Sequence, residues 1–163
     1  MLAATLLNLT STEGTEGTEG GDLAPPDTVI TMFRGGCERR CPVYRVAIFA
    51  DGTVIIEGRY YLLHPVLKKF EIQSNQVKRL ANLFAAIDYF NLPDHFGYKG
   101  KGCTSLGNVD GPNVTTTIVS GGRGKSITHH LGCLGTIPDQ LTVIEHEIGL
   151  AANTKKWVLG NRF

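Results

Sequence analysis

Asp51-Gly52 stands between two β-type runs, and no other feature restricts the fold of this chain so sharply. Before it, Val43 to Phe49 alternates, with Tyr44, Val46 and Ile48 on one face; after it comes Thr53-Val54-Ile55-Ile56. An Asp-Gly pair so placed predicts a hairpin, because a type I′ turn wants φ > 0 at both central residues. An antiparallel sheet with a face to bury follows from it.

Further elements extend that sheet. Thr28 to Phe33 and Leu67 to Ile72 read as strands, and Val114 to Val119 with Ser126 to Leu131 read as a second hairpin around Gly121-Gly122-Arg123-Gly124. Ser74 is a candidate N-cap for a helix carrying Val77, Leu80, Phe84 and Ile87 at helical spacing and ending near Phe90, before Pro93. Thr136 can cap a closing helix, with Pro138 in its first turn, Asp139 as a weak capping box, and Leu141, Ile144, Ile148 and Ala151 as its buried stripe. Residues 93–111, rich in Gly, Asn and Asp, predict a long irregular loop. The expected fold is α+β, an antiparallel sheet of two hairpins with five to six strands and two helices packed on one face.

The chain has 163 residues, 42% of them hydrophobic, 19% charged, with a formal charge of +1. That length suits one domain. The near-neutral charge supplies no global field for nucleic acid, so no nucleic-acid partner is expected. No apolar run approaches the roughly 20 residues of a membrane span. Leu2-Ala3-Ala4-Thr5-Leu6-Leu7 is apolar but lacks the basic n-region and full h-region of a secretory signal. Three Thr-Glu-Gly repeats follow, then Pro25-Pro26, a stretch with little to bury. Residues 1–27 are therefore expected to be a disordered lead or tether, and residues 28–160 a single α+β domain.

Several motifs suggest chemistry and fail on spacing. Gly124-Lys125-Ser126 looks like the end of a phosphate-binding loop, but position 119 is Val and a strand follows. Glu145-His146-Glu147 lacks the second His of a zincin helix and reads as a solvated helix face. His129 and His130 point to opposite faces if they lie on a strand, which predicts one packed ring and one solvated ring. Ser105 and Ser120 have no nucleophile-elbow context. These failures point away from an enzyme, and no cofactor is expected. Arg34, Arg39, Arg40 and Arg45 surround the first cysteine pair, where guanidinium forks could hold an anion or a partner, or simply keep an edge loop soluble.

The four cysteines, Cys37, Cys41, Cys103 and Cys133, admit two disulfides, a metal site or reduced thiols. Cys37-x-x-x-Cys41 is too wide for the C-x-x-C redox motif, and Cys103 and Cys133 supply no second zinc knuckle. No metal is favoured; if one is bound, Cys103, His130 and Cys133 are its ligands.

Cys37-Glu38-Arg39-Arg40-Cys41-Pro42-Val43-Tyr44, then Asp51-Gly52-Thr53-Val54, resembles an uncharacterised bacterial family, the domain of unknown function numbered 6438. The Thr-rich strand from Val114 to Ile118, His130-Leu131-Gly132-Cys133, the Pro-led helix and Trp157-Val158 extend the similarity over roughly residues 28–159. The resemblance implies a fold family and an exported or lipoprotein context, and carries no activity. Together with loop placement it favours Cys37 with Cys41 and Cys103 with Cys133, a tight clip and a staple on the long loop.

The function expected on these grounds is a non-enzymatic extracytoplasmic binding or assembly domain, an accessory subunit with a protein partner or larger assembly, in the periplasm, on the cell surface or secreted. Two rivals remain: a metal or thiol-redox protein using Cys103, Cys133 and His130, and a small enzyme with a pocket under the 93–111 loop.

Overall fold

The structure is a computed structural model that describes residues 23–62, 64–97 and 102–159. The lead expected over residues 1–27 thus lies, for residues 1–22, outside the described residues. Nine strands and two α-helices follow in the order β1 (Val29–Arg34), β2 (Val43–Phe49), β3 (Thr53–Tyr60), β4 (Val66–Glu71), α1 (Ser74–Ala86), β5 (His95–Phe96), β6 (Ser105–Leu106), β7 (Asn113–Ser120), β8 (Arg123–His130), β9 (Cys133–Leu134) and α2 (Thr136–Ala151). A 3₁₀ turn, Tyr89–Asn91, and a π-helical turn, Lys155–Leu159, complete the described elements.

The main sheet has seven strands in the order β4-β3-β2-β1-β7-β8-β5, and β6 pairs with β9 in a small second sheet. This exceeds the five to six strands expected, and β5 runs parallel to β8 where the expectation was wholly antiparallel. The reason is length: β5, β6 and β9 span two residues each, too few to show an alternation. Two of them arise inside the stretch expected to be irregular, where they make short ladders and, of their four residues, only Phe96 joins the core.

One face of the sheet is buried and the other is open. Ile30, Met32, Tyr44, Val46, Ile48, Val54, Ile56, Val114, Ile118 and Ile127 join Val77, Leu80 and Phe84 of α1 and Leu141, Ile144 and Ile148 of α2 in one core. The alternation of Tyr44, Val46 and Ile48 and the helical spacings of α1 and α2 are those read in the sequence. On the opposite face Phe33 and Leu67 stay 40% and 72% exposed. The helices thus cover a single face, as expected.

Turn chemistry differs from expectation in an instructive way. The Asp51-Gly52 hairpin forms, but only Gly52 has positive φ (92°), and Gly52 N–H bonds Phe49 O at 2.9 Å. This is a three-residue loop with its glycine in the left-handed region. The two-glycine turn, with φ of 59° and 73°, lies instead at Gly121-Gly122. There the Asp27 carboxylate accepts both glycine N–H groups, at 2.9 and 2.7 Å, and these bonds hold its pKa below the usual value. Helix starts also shift by one residue: Gln73 and Gly135 occupy the N-cap positions expected for Ser74 and Thr136. The first helix stops at Ala86, four residues before the expected Phe90, because Asp88 turns left-handed (φ 53°) into the 3₁₀ turn.

Candidate functional site

Both disulfides form, Cys37 with Cys41 and Cys103 with Cys133, four and 30 residues apart. This is the pairing that loop placement and resemblance favoured. The first closes the connection between β1 and β2. The second fixes the 103–111 segment to β9, beside a short ladder: Thr104 N–H bonds Leu134 O at 2.8 Å and Gly107 N–H bonds Gly132 O at 2.7 Å. The long loop therefore owes its order to backbone pairing and one covalent staple. Both sulfurs being spent on each other, neither Cys103 nor Cys133 is a thiolate ligand in this state, and the described residues contain no group of three metal-ligating side chains.

The two stapled segments meet. A groove of about 280 Å³ is lined by Cys37, Arg39 and Cys41 on one side and by Asn108, Asp110, Gly111 and Pro112 on the other. His130 lies beneath, with Gly111 and Gly132 close to its ring, and its Nδ1 accepts the Gly132 N–H at 3.0 Å. The expectation of one packed and one solvated histidine is thus corrected: His129 and His130 are both buried. The 108–111 turn and Gly132 cover the ring that strand alternation alone would leave outside.

The four arginines divide. Arg34 pairs in register with Tyr44 and shares its face, the helix side; Arg45 pairs with Phe33 and lies on the open side, its guanidinium 5.7 Å from that ring. Arg39 and Arg40 are exposed in the clip, and Arg39 borders the groove.

A larger cavity lies elsewhere, between α2 and the sheet. About 460 Å³ in volume, it is lined by Met32, Arg34, Tyr44, Val114 and Leu131 on one wall, and by Thr142, Glu145, His146, Gly149, Leu150 and Asn153 to Lys155 on the other. Glu145 was read as part of a solvated helix face, and here the structure overturns the reading. It is 8% exposed, and its Oε1 lies 3.0 Å from Nδ1 of His129, which is 1% exposed. Burial pushes the Glu145 carboxyl up from its ordinary pKa, against the opposing pull of His129 and Arg34. The other ring nitrogen of His129, Nε2, is buried without a partner among the described residues. The signal available in sequence was weak: Glu145 follows Leu141 by four residues and Ile144 by one, inside the apolar stripe.

Residues 28–151, from the start of β1 to the end of α2, match the family described as a domain of unknown function, DUF6438. The chain belongs to that family. No curated protein matches it. The match covers both disulfides, the loop groove, and the Arg34, Tyr44 and Glu145 positions of the cleft. In this DUF6438 domain all of these gather at one end of the sheet, where β1 and β8 finish and β2 and β7 begin. No helix among the described residues is long and apolar enough to cross a membrane.

Proposed function

We propose that this is a non-enzymatic binding or assembly domain of an oxidising compartment outside the cytoplasm, working through the disulfide-pinned end of its sheet. One observation carries the reading: the clip and the stapled loop, each closed by its own disulfide, form the two banks of one groove. Crosslinks that immobilise exposed loops lower the entropy lost when a partner binds them. Disulfides of this kind persist where the surroundings are oxidising. Exposed Arg39 on one bank and Asp110 on the other give the groove charges of both signs with which to orient a protein partner. The lead before Leu23 serves in this reading as the tether.

A photocrosslinking residue placed singly at Asn108, Arg39 and Val143 in the cell that makes the protein tests the reading. Discrete adducts from positions 108 and 39, with none from Val143 on the exposed side of α2, are expected. Adducts from Val143 alone, or from none of the three, would sink it.

A further inference from the structure

The cleft between α2 and the sheet holds a pair of hydrogen-bond donors in search of an acceptor. Arg34 and Tyr44 stand directly opposite each other across the β1–β2 ladder, and both line this cleft. Among the described residues, neither side chain makes a hydrogen bond or an ion pair. A second, smaller cavity of about 120 Å³ is also bounded by Arg34 and Tyr44, so the two side chains are open to space on both sides. A guanidinium fork beside a phenol hydroxyl matches the two oxygens of a carboxylate.

The rest of the cleft says what that carboxylate would be attached to. Met32, Val114, Leu131 and Leu150 supply an apolar surface. The acidic group of the wall, Glu145, is engaged with His129 at 3.0 Å and feels Arg34 only from beyond ion-pair distance, so the guanidinium's hydrogen-bond donors stay open to an incoming acceptor. A volume of about 460 Å³ falls within the usual range for small-ligand sites, about 300 to 1,000 Å³.

We propose that this cleft binds a monocarboxylate on an aliphatic stem, with the carboxylate on Arg34 and the Tyr44 hydroxyl and the stem on Met32, Val114, Leu131 and Leu150. The planar Arg34 fork matches a carboxylate in shape, and the apolar surface disfavours a small hydrated dianion such as phosphate. The carboxylate can belong to a free aliphatic acid or to the C-terminus of a chain ending in an aliphatic residue. The inference rests on the reading of this end of the sheet as a binding surface and narrows it to one ligand chemistry.

The test is an amide and side-chain NMR titration of the full chain with octanoate and with N-acetyl-Ala-Ala-Leu, each beside its uncharged counterpart, octanol or the peptide amide. The acids are expected to saturate and to shift the Arg34 guanidinium and Tyr44 ring signals, with the uncharged forms at least tenfold weaker. Tighter binding of octanoate assigns a free acid, and tighter binding of the tripeptide assigns a chain terminus. Arg34→Gln should weaken the preferred acid at least tenfold, and Arg34→Lys less. Equal binding of acid and uncharged form, or no saturation by either acid at millimolar concentration, overturns the proposal; the wild-type titration decides even if the variants fold poorly. If that occurs while position 108 still crosslinks, only the carboxylate inference fails. Saturable carboxylate binding without crosslinks at positions 39 and 108 spares the cleft and fails the groove.

Discussion

Nδ1 of His129 lies 3.0 Å from Oε1 of Glu145, joining the C-terminal end of an interior strand to the middle of the helix that covers it. Sixteen residues of chain separate the two, and both side chains are nearly sealed from solvent. A polar contact so placed acts as a registry pin between α2 and β8: α2 can slide along the sheet only by breaking it. Removing one partner leaves the other buried and unsatisfied, so Glu145→Ala should cost about 1 to 3 kcal/mol in urea unfolding.

The same pair should shape stability against pH. Burial raises the pKa of Glu145 above its ordinary 4.5, so the folded chain keeps a proton that the unfolded chain has already released. Stability contributed by this group therefore falls as pH rises from about 4.5 through the folded pKa. His129 and Arg34 act on the carboxyl from the surrounding elements and oppose the effect of burial. Glu145→Gln removes the titration, and its unfolding free energy should decline less over that window; parallel profiles for the two proteins would contradict the assignment.

The two disulfides should differ in worth. On chain entropy alone, opening the 30-residue closure with Cys103→Ser and Cys133→Ser should cost about 3 to 4 kcal/mol, against about 2 for the four-residue Cys37 and Cys41 clip. Guanidinium unfolding of the two double variants measures both. Thiol titration of the denatured, unreduced wild type should find no free thiol.

Two glycines hold backbone against backbone. A Cβ on Gly132 would sit 1.9 Å from Asn108 O, and one on Gly52, at φ 92°, would sit 2.0 Å from Ile72 O. Either alanine substitution should destabilise by about 1 to 3 kcal/mol. Gly132→Ala should in addition free the 103–111 loop to protease. Gly124→Ala, whose Cβ would meet only a Val119 methyl at 3.6 Å, is the control and should stay within about 0.5 kcal/mol of wild type.

Tyr89 is fully buried, and its hydroxyl lies 2.7 Å from Thr116 O and 2.8 Å from Thr116 Oγ1. Burial pushes its pKa up to about 12. Ultraviolet titration should show one tyrosine ionising well above the ordinary tyrosine value of 10. Tyr89→Phe should remove that late step and cost about 1 to 2 kcal/mol.

The strands β1 to β4 and β7 and β8, both helices and the buried stripe of each were legible because their signals are local. Alternation sets which strand residues share a face, and the helical repeat does the same for Leu141, Ile144 and Ile148. The cysteine pairing was legible only in part, since spacing left three connectivities open and the choice drew on loop placement and resemblance. The cleft escaped. Glu145, Arg34 and His129 come from three separate elements, and Arg34 and Arg45, neighbours across the first cysteine loop, part to opposite faces because their strand positions differ in parity.

By itself, then, the sequence determined the hairpins, the helices, the face that Tyr44, Val46 and Ile48 bury and a single covering layer, because each depends on residues a few positions apart. Only the tertiary structure decided that β7 joins the sheet beside β1, that His130 is roofed by the 108–111 turn, and that Glu145 meets His129 at a cleft holding Arg34 and Tyr44. Those relationships depend on which buried surfaces pack together after the chain has crossed the sheet. Contacts between residues distant in sequence leave no periodic trace in one chain.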